Sequence, residues 1–382
     1  MNILIAVTHL LGTGHLSRAL TLARAYRDAG HTVTLASGGL GVPQFERTGI
    51  TFHQLPPLRS DGTNFTRLLT DNGVLADDRY LANRETALLH ALTRSAPDIL
   101  ITELFPFGRR ILRAEFLALL KAAKSLPNRP AIFASIRDIL APPSKPEKAV
   151  KTDALIAQYY DAVLVHSDPA RVPLEQSWPV TPALTAKLRY TGYVAPAPAG
   201  PHPAKAGEGE IIVSTGGGSV GLALFKTAIE AAHKSPYKWR LLVGGNAPPA
   251  WLSELQTLAK SDKIAVETAR PDFRKMLFHA KASISMCGYN TALDLLQATT
   301  PAILVPFDEG GEVEQSLRAE SLAKSSQFRV IHAKNFTADS LLHNLDALTT
   351  QPILPVAANY NGATETVHIT TEIVTQMRGK TS

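Results

Sequence analysis

The sequence predicts an α/β protein built from two doubly wound domains, each a parallel sheet with helices on both faces. Three observations predict it. Short apolar runs alternate with amphipathic helical patterns along the chain, as crossover connections between parallel strands require. The 382 residues suffice for about two domains. The order strand, glycine-rich loop, helix begins at Asn2 and begins again at Ile211.

In the first half, Asn2 to Val7 is the opening strand and His9 to Gly14 the loop after it. Leu16, Ala19, Leu20, Ala23 and Tyr26 then recur at helical spacing, and Gly30 follows as a C-cap. Thr32 to Ala36 is the second strand, closed by Gly38-Gly39. Asp98 to Thr102, Ala131 to Ile136 and Ala162 to His166 read as further buried strands. Pro56 to Val74 is polar and irregular, a long loop expected to lie in solvent.

Prolines at 196, 198, 201 and 203 mark a linker. The pattern then restarts with the strand Ile211 to Ser214, the turn Thr215 to Gly221 and a helix from Leu222 to His233. Arg240 to Val243, Ala265 to Glu267, Ala282 to Ser285 and Ala302 to Val305 continue the second sheet. The expected boundaries are a first domain at 1–193, a linker at 194–208, a second domain at 209–355 and a C-terminal segment at 356–382. The helix in that last segment, Ala363 to Met377, is expected to cross back onto the first domain.

Composition narrows the function. Apolar residues make up 45% of the chain, enough for sizeable cores. One cysteine, Cys287, rules out an intrachain disulfide and fits a reducing compartment. Met1-Asn2 leads straight into Ile3 to Val7, without the basic start and longer apolar core of a signal peptide, and no run is long enough to span a membrane. The expectation is a cytoplasmic chain. A net charge of +6 without a dense Lys/Arg run argues against a nucleic-acid groove. It suits attraction to nucleotide phosphates or to an anionic membrane surface.

Two glycine-rich turns sit where open α/β sheets bind ligands, beyond the carboxyl ends of the strands. Helix N-termini there offer unpaired N–H groups to anions. The first turn, Gly12-Thr13-Gly14-His15-Leu16-Ser17, has serine where a dinucleotide fingerprint has a small apolar residue. No acid follows the second strand, which ends Ala36-Ser37-Gly38-Gly39, so a nicotinamide enzyme is disfavoured. His15 could take a proton from an acceptor hydroxyl, or could simply cap and pack its helix. Glu103 and His166, each at a strand end, are further candidates, with His166 ranked below His15. The loop Phe105-Pro106-Phe107-Gly108 reads as an acceptor or membrane contact, or equally as a packed turn.

The second turn, Gly216 to Gly221, reads as a phosphate cradle or a tight strand-to-helix turn. In Ser285 to Asp294 a strand runs into a helix, and Asp294 could accept ribose hydroxyls or serve only as a dipole partner. In Val305 to Gln315, Glu314 and Gln315 could bond sugar hydroxyls or form a solvated helix start. No Cys/His cluster has zinc spacing, and no Asp-x-Asp pair suggests a metal held on a diphosphate.

These clusters, in this order, resemble the MurG-like glycosyltransferases, most strongly in the second half. Gly12-Thr13-Gly14-His15 resembles the family's acceptor-side loop. Gly217-Gly218-Ser219-Val220-Gly221 matches its Gly-Gly-Ser-x-Gly turn at the donor diphosphate. Gly288 with Asp294 matches the glycine and downstream acid that hold the donor ribose, with Asp for the commoner Glu. Pro306-Phe307 and Glu314-Gln315 match the region at the donor sugar, with Glu for the first Gln. Arg270 to Phe273 falls where family backbone groups recognise uracil. Met286 stands where MurG has arginine, which argues against the peptidoglycan substrate pair.

The resemblance implies a GT-B fold, two Rossmann-like domains facing across a cleft. It implies an inverting, metal-independent transfer of a hexose or N-acetylhexosamine from a UDP-sugar as co-substrate. The acceptor would be a saccharide or lipid-linked hydroxyl, met at the inner face of a membrane by peripheral contact. His15 and Glu103 are the implied catalytic residues, and Gly12, Thr13 and Gly14 the acceptor-side loop. Gly217, Gly218, Ser219, Val220, Arg270, Phe273, Gly288, Tyr289, Asn290, Thr291, Asp294, Glu314 and Gln315 are the implied donor set. A UDP-sugar epimerase or hydrolase, or a non-catalytic nucleotide-sugar binding protein, would use the same donor features and stays open.

Overall fold

The computed structural model describes all residues except 11, 44, 61–66, 217–219, 245–246, 309–311, 353, 355–356 and 380–382. The chain folds into two compact units: Met1–Ala195 with Asn359–Ser382, and Pro196–Ala358.

The first unit runs β1 (Asn2–Val7), α1 (Gly14–Asp28), β2 (Thr32–Ser37), β3 (Thr51–Gln54), α2 (Asp78–Ser95), β4 (Ile99–Glu103), α3 (Arg113–Lys124) and β5 (Ala131–Arg137). It continues with α4 (Pro146–Tyr159), β6 (Ala162–His166), the short α5 (Pro182–Thr185) and β7 (Leu188–Tyr190). The strands form one parallel sheet in the order β3-β2-β1-β4-β5-β6-β7. The order reverses between β1 and β4, and ligands of open α/β sheets bind at that switch point.

Both faces of β1 are covered, which is why its sequence is continuously apolar and not alternating. Ile3, Ile5 and Val7 join the core formed with Leu16, Leu20 and Tyr26 of α1. Leu4 and Ala6 face the opposite core, with Leu88 and Leu92 of α2 and Phe116 and Leu120 of α3.

The second unit repeats the design with β8 (Ile211–Ser214), α6 (Leu222–His233), β9 (Trp239–Val243), α7 (Pro249–Ala259), β10 (Ile264–Thr268), α8 (Phe273–Leu277) and β11 (Ala282–Ser285). It ends with α9 (Tyr289–Ala298), β12 (Ala302–Leu304), α10 (Glu314–Leu322), β13 (Phe328–Val330) and α11 (Ala338–Thr349). Its parallel sheet has the order β10-β9-β8-β11-β12-β13, with the switch between β8 and β11.

The last helix, α12 (Gly362–Gly379), belongs to the first unit and packs on α1, where the Tyr26 and Thr370 hydroxyls lie 2.6 Å apart. Its approach is fixed by main-chain bonds from Tyr193 N–H to Asn359 O at 2.7 Å and from Gly362 N–H to Tyr193 O at 3.1 Å. A Cβ at Gly362 would run into the Gly192 and Tyr193 backbone, so only glycine fits there.

The expectation that Pro56 to Val74 lies in solvent fits Arg67 and residues 71–74, which are exposed, and needs correction at Leu58 and Leu68. Leu58 and Leu68 are buried in the first core, and Arg59 and Leu69 pair as an antiparallel bridge. Leu58 and Leu68 are apolar anchors that the polar average composition of the segment hides.

The strand ends of the first unit are tied by one buried arginine. Arg84 of α2 donates from Nε and Nη2 to the two Glu115 carboxylate oxygens at 2.9 Å each. It also donates to Gly38 O at 2.8 Å, to Thr8 Oγ1 at 3.2 Å and to Pro56 O. A Cβ at Gly38 would collide with this guanidinium and with Thr8, so the glycine after β2 makes room for the tie. Arg84→Met would leave the Glu115 carboxylate buried without its partner. A loss of ~3–5 kcal/mol in urea unfolding at neutral pH is expected, whereas a loss under ~0.5 kcal/mol would contradict this role.

Candidate active site

In the first unit, the predicted residues converge at the β1/β4 switch point. The chain leaves β1 through Thr8 and His9 and turns at Gly12, whose φ of +64° selects glycine. Thr13 occupies the N-cap of α1 without a side-chain capping bond. Gly14 and His15 then open the helix, and Glu103 is the last residue of β4.

His15 Nδ1 lies 3.0 Å from Glu103 Oε1. Arg18, one turn further along α1, donates from Nη2 to the same carboxylate oxygen and lies 3.2 Å from His15 Nδ1. A carboxylate needs a donor, and a protonated Nδ1 supplies one, so Nδ1–H donates to Glu103. The arginine approaches Nδ1 only because both serve one oxygen. That tautomer leaves Nε2 of His15 with its lone pair, and Nε2 has no protein partner among the described residues.

The other Glu103 oxygen accepts from Ser135 Oγ at 2.7 Å. Ser135 Oγ is 2.9 Å from His166 Nε2, and His166 Nδ1 is 2.9 Å from Thr191 Oγ1. A polar chain thus runs inward from His15 through three strand ends, and Glu103, Ser135 and His166 are all buried.

The electrostatics follow from this burial. Burial pushes the Glu103 carboxyl up, but Arg18, His15 and Ser135 outweigh it and hold it well below the usual carboxylate range. Burial and the positive charge of Arg109 bring His15 down to about 3. Burial and Arg18 bring His166 to about 3, and burial with Arg109 brings His9 to about 4. Arg109 is anchored to the end of β1 by a 2.6 Å bond from Nε to Thr8 O. The three imidazoles are therefore neutral at neutral pH.

Two expectations change here. Glu103, considered as a second proton acceptor, has both oxygens committed to His15, Arg18 and Ser135. Its geometry orients His15 instead. Phe105 and Phe107 do not form an exposed contact. Phe105 stacks on Phe116 at 4.7 Å, and Phe107 meets Trp178 edge-on at 5.1 Å, so the packed-turn alternative holds.

In the second unit, the turn after β8 and the start of α9 after β11 come together at the switch point. Gly217, Gly218 and Ser219 lie outside the described residues; Val220 is half-buried against the core. Gly216 and Gly221, on either side, have φ of +77° and +100°, conformations that L side chains rarely adopt. A Cβ at Gly216 would stand 3.7 Å from Thr291 Oγ1, which brings this turn beside the start of α9. Gly288 is the N-cap of α9, Asn290 is exposed and Thr291 half-buried, whereas Tyr289 points into the core.

Gln315 joins the next cluster to this one. Its Oε1 accepts the amides of Cys287 at 3.0 Å and Phe307 at 3.2 Å. The side-chain amide is thereby oriented, and its NH2 has no protein partner among the described residues. Glu314 opens α10 and is largely buried. Asp294, on α9, accepts from Arg274 Nε at 2.7 Å. Burial pushes its carboxyl up to about 6 against the pull of Arg274. Arg270 is clasped to Asp272 by bonds of 2.8 and 2.6 Å, and Phe273 starts α8. Among the described residues no group of three or more His, Cys, Asp or Glu side chains could hold a metal ion, and no helix is long and apolar enough to cross a membrane.

Sequence reasoning missed Arg18, Ser135, Arg109 and Arg274. Arg18 had a readable signal, since its i+3 spacing puts it on the face of α1 that carries His15. Ser135, Arg109 and Arg274 had none, because their contacts span distant segments.

The buried histidines make stability depend on pH. Unfolded, each titrates near 6.5; folded, His9, His15 and His166 hold off protons until about 4, 3 and 3. The unfolded chain binds more protons between those values, so their contribution is present above pH ~6.5 and is lost as pH falls toward ~4. His166→Gln removes one of these protons, and the acid limb of urea stability against pH should become shallower. An unchanged slope would contradict the burial of a neutral imidazole at this position.

Residues 212–368 match the family model for the glycosyltransferase family 28 C-terminal domain. One curated relative is the UDP-N-acetylglucosamine–N-acetylmuramyl-(pentapeptide) pyrophosphoryl-undecaprenol N-acetylglucosamine transferase of Rhodospirillum centenum. It is 31% identical over 189 residues, and the match spans 47% of this chain and 47% of that protein, about half of each. The crystal structure of Acinetobacter baumannii MurG aligns with a TM-score of 0.61 at 16% identity, over 97% of this chain and 100% of that one. The glycosyltransferase VinC in complex with dTDP aligns with a TM-score of 0.60 at 15% identity, over 100% and 98%. At such identities these two likenesses speak for the fold, two Rossmann-like domains of GT-B type. The matched region, 212–368, thus resembles the C-terminal domain of glycosyltransferase family 28, and the chain as a whole has a fold of GT-B type.

Proposed function

We propose that this chain is an inverting glycosyltransferase. It moves a hexose or N-acetylhexosamine from a UDP-sugar bound by the second unit to a hydroxyl acceptor bound by the first. The observation that carries the reading is His15, a neutral imidazole whose Nδ1 is fixed on Glu103 and whose Nε2 keeps its lone pair. Nε2 takes the acceptor proton as the hydroxyl attacks the anomeric carbon, and Glu103 stabilises the imidazolium that forms. Asp294 accepts the ribose hydroxyls, and the Gln315 amide meets the sugar. The amides of residues 217–220 and the N-terminus of α6 receive the charge of the departing diphosphate.

The acceptor is a saccharide or lipid-linked hydroxyl of the kind that the name of the Rhodospirillum centenum relative describes for that protein. Met286 and Glu314, where MurG has arginine and glutamine, support a sugar or acceptor different from MurG's own.

Thermal stabilisation by nucleotides tests the donor side. A UDP-sugar at a hundred times its dissociation constant adds ~2.7 kcal/mol to the folded state. A shift with UDP-sugars that Asp294→Ala abolishes supports the donor site, and a larger shift with ADP or NAD would overturn it. With the donor so found, His15→Ala is expected to lower kcat by ~10²–10⁴-fold with little change in donor affinity. Full turnover by that variant would refute the base, and sugar release or epimerisation without acceptor would replace transfer with hydrolysis or epimerisation.

A further inference from the structure

One side chain of the second unit contacts four separate groups. Arg274 of α8 donates from Nε to Asp294 Oδ1 at 2.7 Å. Its Nη2 donates to Gln297 Oε1 at 2.7 Å and to Ala197 O at 2.9 Å, and lies 3.5 Å from Pro196 O. Gln297 Nε2 donates to the same Pro196 carbonyl at 3.1 Å. Two carbonyls and an amide oxygen thus hold the guanidinium while its remaining edge meets the acid.

The segment that begins at Pro196 is itself pinned beside α8. His202 Nε2 is 3.0 Å from Asp272 Oδ2, and its Nδ1 accepts the amides of Ala204 and Ala206 at 3.1 and 3.3 Å. Gly207 has φ of +88°, and a Cβ there would sit 2.7 Å from Met276 O. The proline-rich stretch is thus docked along α8, and it braces Arg274 from behind.

Asp294 is left with one oxygen bonded to Arg274, and Oδ2 has no protein partner among the described residues. We propose that Arg274 is a positioning residue of the nucleotide site, holding Asp294 as a carboxylate with Oδ2 presented to a ribose hydroxyl of the donor. This rests on the reading of Asp294 as the ribose acceptor. The role is chemical as well as geometric. Burial favours the neutral acid at Asp294, and Arg274 is the charged group that opposes it. The other groups around this guanidinium, Gln297 and the Pro196 and Ala197 carbonyls, are neutral. A protonated Asp294 is a weaker acceptor than the carboxylate.

The test compares dissociation constants of UDP, 2′-deoxy-UDP and 3′-deoxy-UDP by calorimetry on the full chain, from about pH 5 to about pH 8. Taking the ratio at each pH cancels the ionisation of the phosphates. In the wild type, UDP is expected to bind about tenfold tighter than at least one deoxy analogue above pH ~6, with the preference fading below. In Arg274→Gln the preference should be lost at neutral pH and return only at higher pH. In Arg274→Lys, which keeps the charge, the midpoint should stay near that of the wild type. A neutral-pH preference that survives in Arg274→Gln, or a midpoint that moves in Arg274→Lys, overturns the proposal.

The two readings separate. If Asp294→Ala abolishes the preference while Arg274→Gln keeps it, Arg274 alone is misassigned. If wild type shows no preference for the ribonucleotide, or Asp294→Ala retains one, the ribose assignment falls and this inference falls with it.

Discussion

A carboxylate cannot stay ionised in a protein interior without close positive and hydrogen-bonding partners. Glu103 sits at the buried end of β4, and Arg18, His15 and Ser135 are the partners that keep it charged. They come from two elements, Arg18 and His15 from α1 and Ser135 from β5. The parallel register that pairs Glu103 with Ser135 must therefore be right before the charge is tolerated. Once it is, the direction of the His15 ring and its tautomer follow, and burial with the charge of Arg109 keeps the ring neutral. The tie through Arg84 and Glu115 serves the same end, since it holds the Thr8, Gly38 and Pro56 segments around the point where the chain enters the His15 loop.

The second unit solves a related problem with the opposite balance. Asp294 is also a partly buried acid beside an arginine, yet burial there wins and the carboxyl sits near the working pH range. Glu103 has three partners and no freedom; Asp294 has one bond and an open oxygen. The first arrangement suits a group that orients another residue, and the second a group that meets a ligand. Both lie at the point where the strand order reverses, where adjoining loops part and leave room.

Much of the fold was readable because its causes are local. Ile3 to Val7 read as a strand covered on both faces, and α1 announced itself through Leu16, Ala19, Leu20, Ala23 and Tyr26, all of which are buried. Gly216 and Gly221 stood out because their turn demands positive φ. The candidate site was readable as positions and residue types, but its electrostatics were not. Nothing near Glu103 in sequence says that Arg18, 85 positions away, neutralises it. Asp294 and Arg274 meet only because α8 and α9 pack together. Phe105 and Phe107 have the composition of either a greasy surface loop or a packed turn. Phe116 and Trp178, supplied by later segments, decide for the second.

The central claim is that Glu103 fixes the His15 proton at Nδ1 while burial and the charge of Arg109 keep the ring neutral. The most direct measurement is ¹⁵N NMR of the His15 ring in protein labelled at histidine, assigned by comparison with His15→Gln and followed from neutral pH down to about pH 5. The account predicts a protonated Nδ1 and a bare Nε2 that do not change across that range. A proton on Nε2, or a ring that titrates near 6.5, would contradict it.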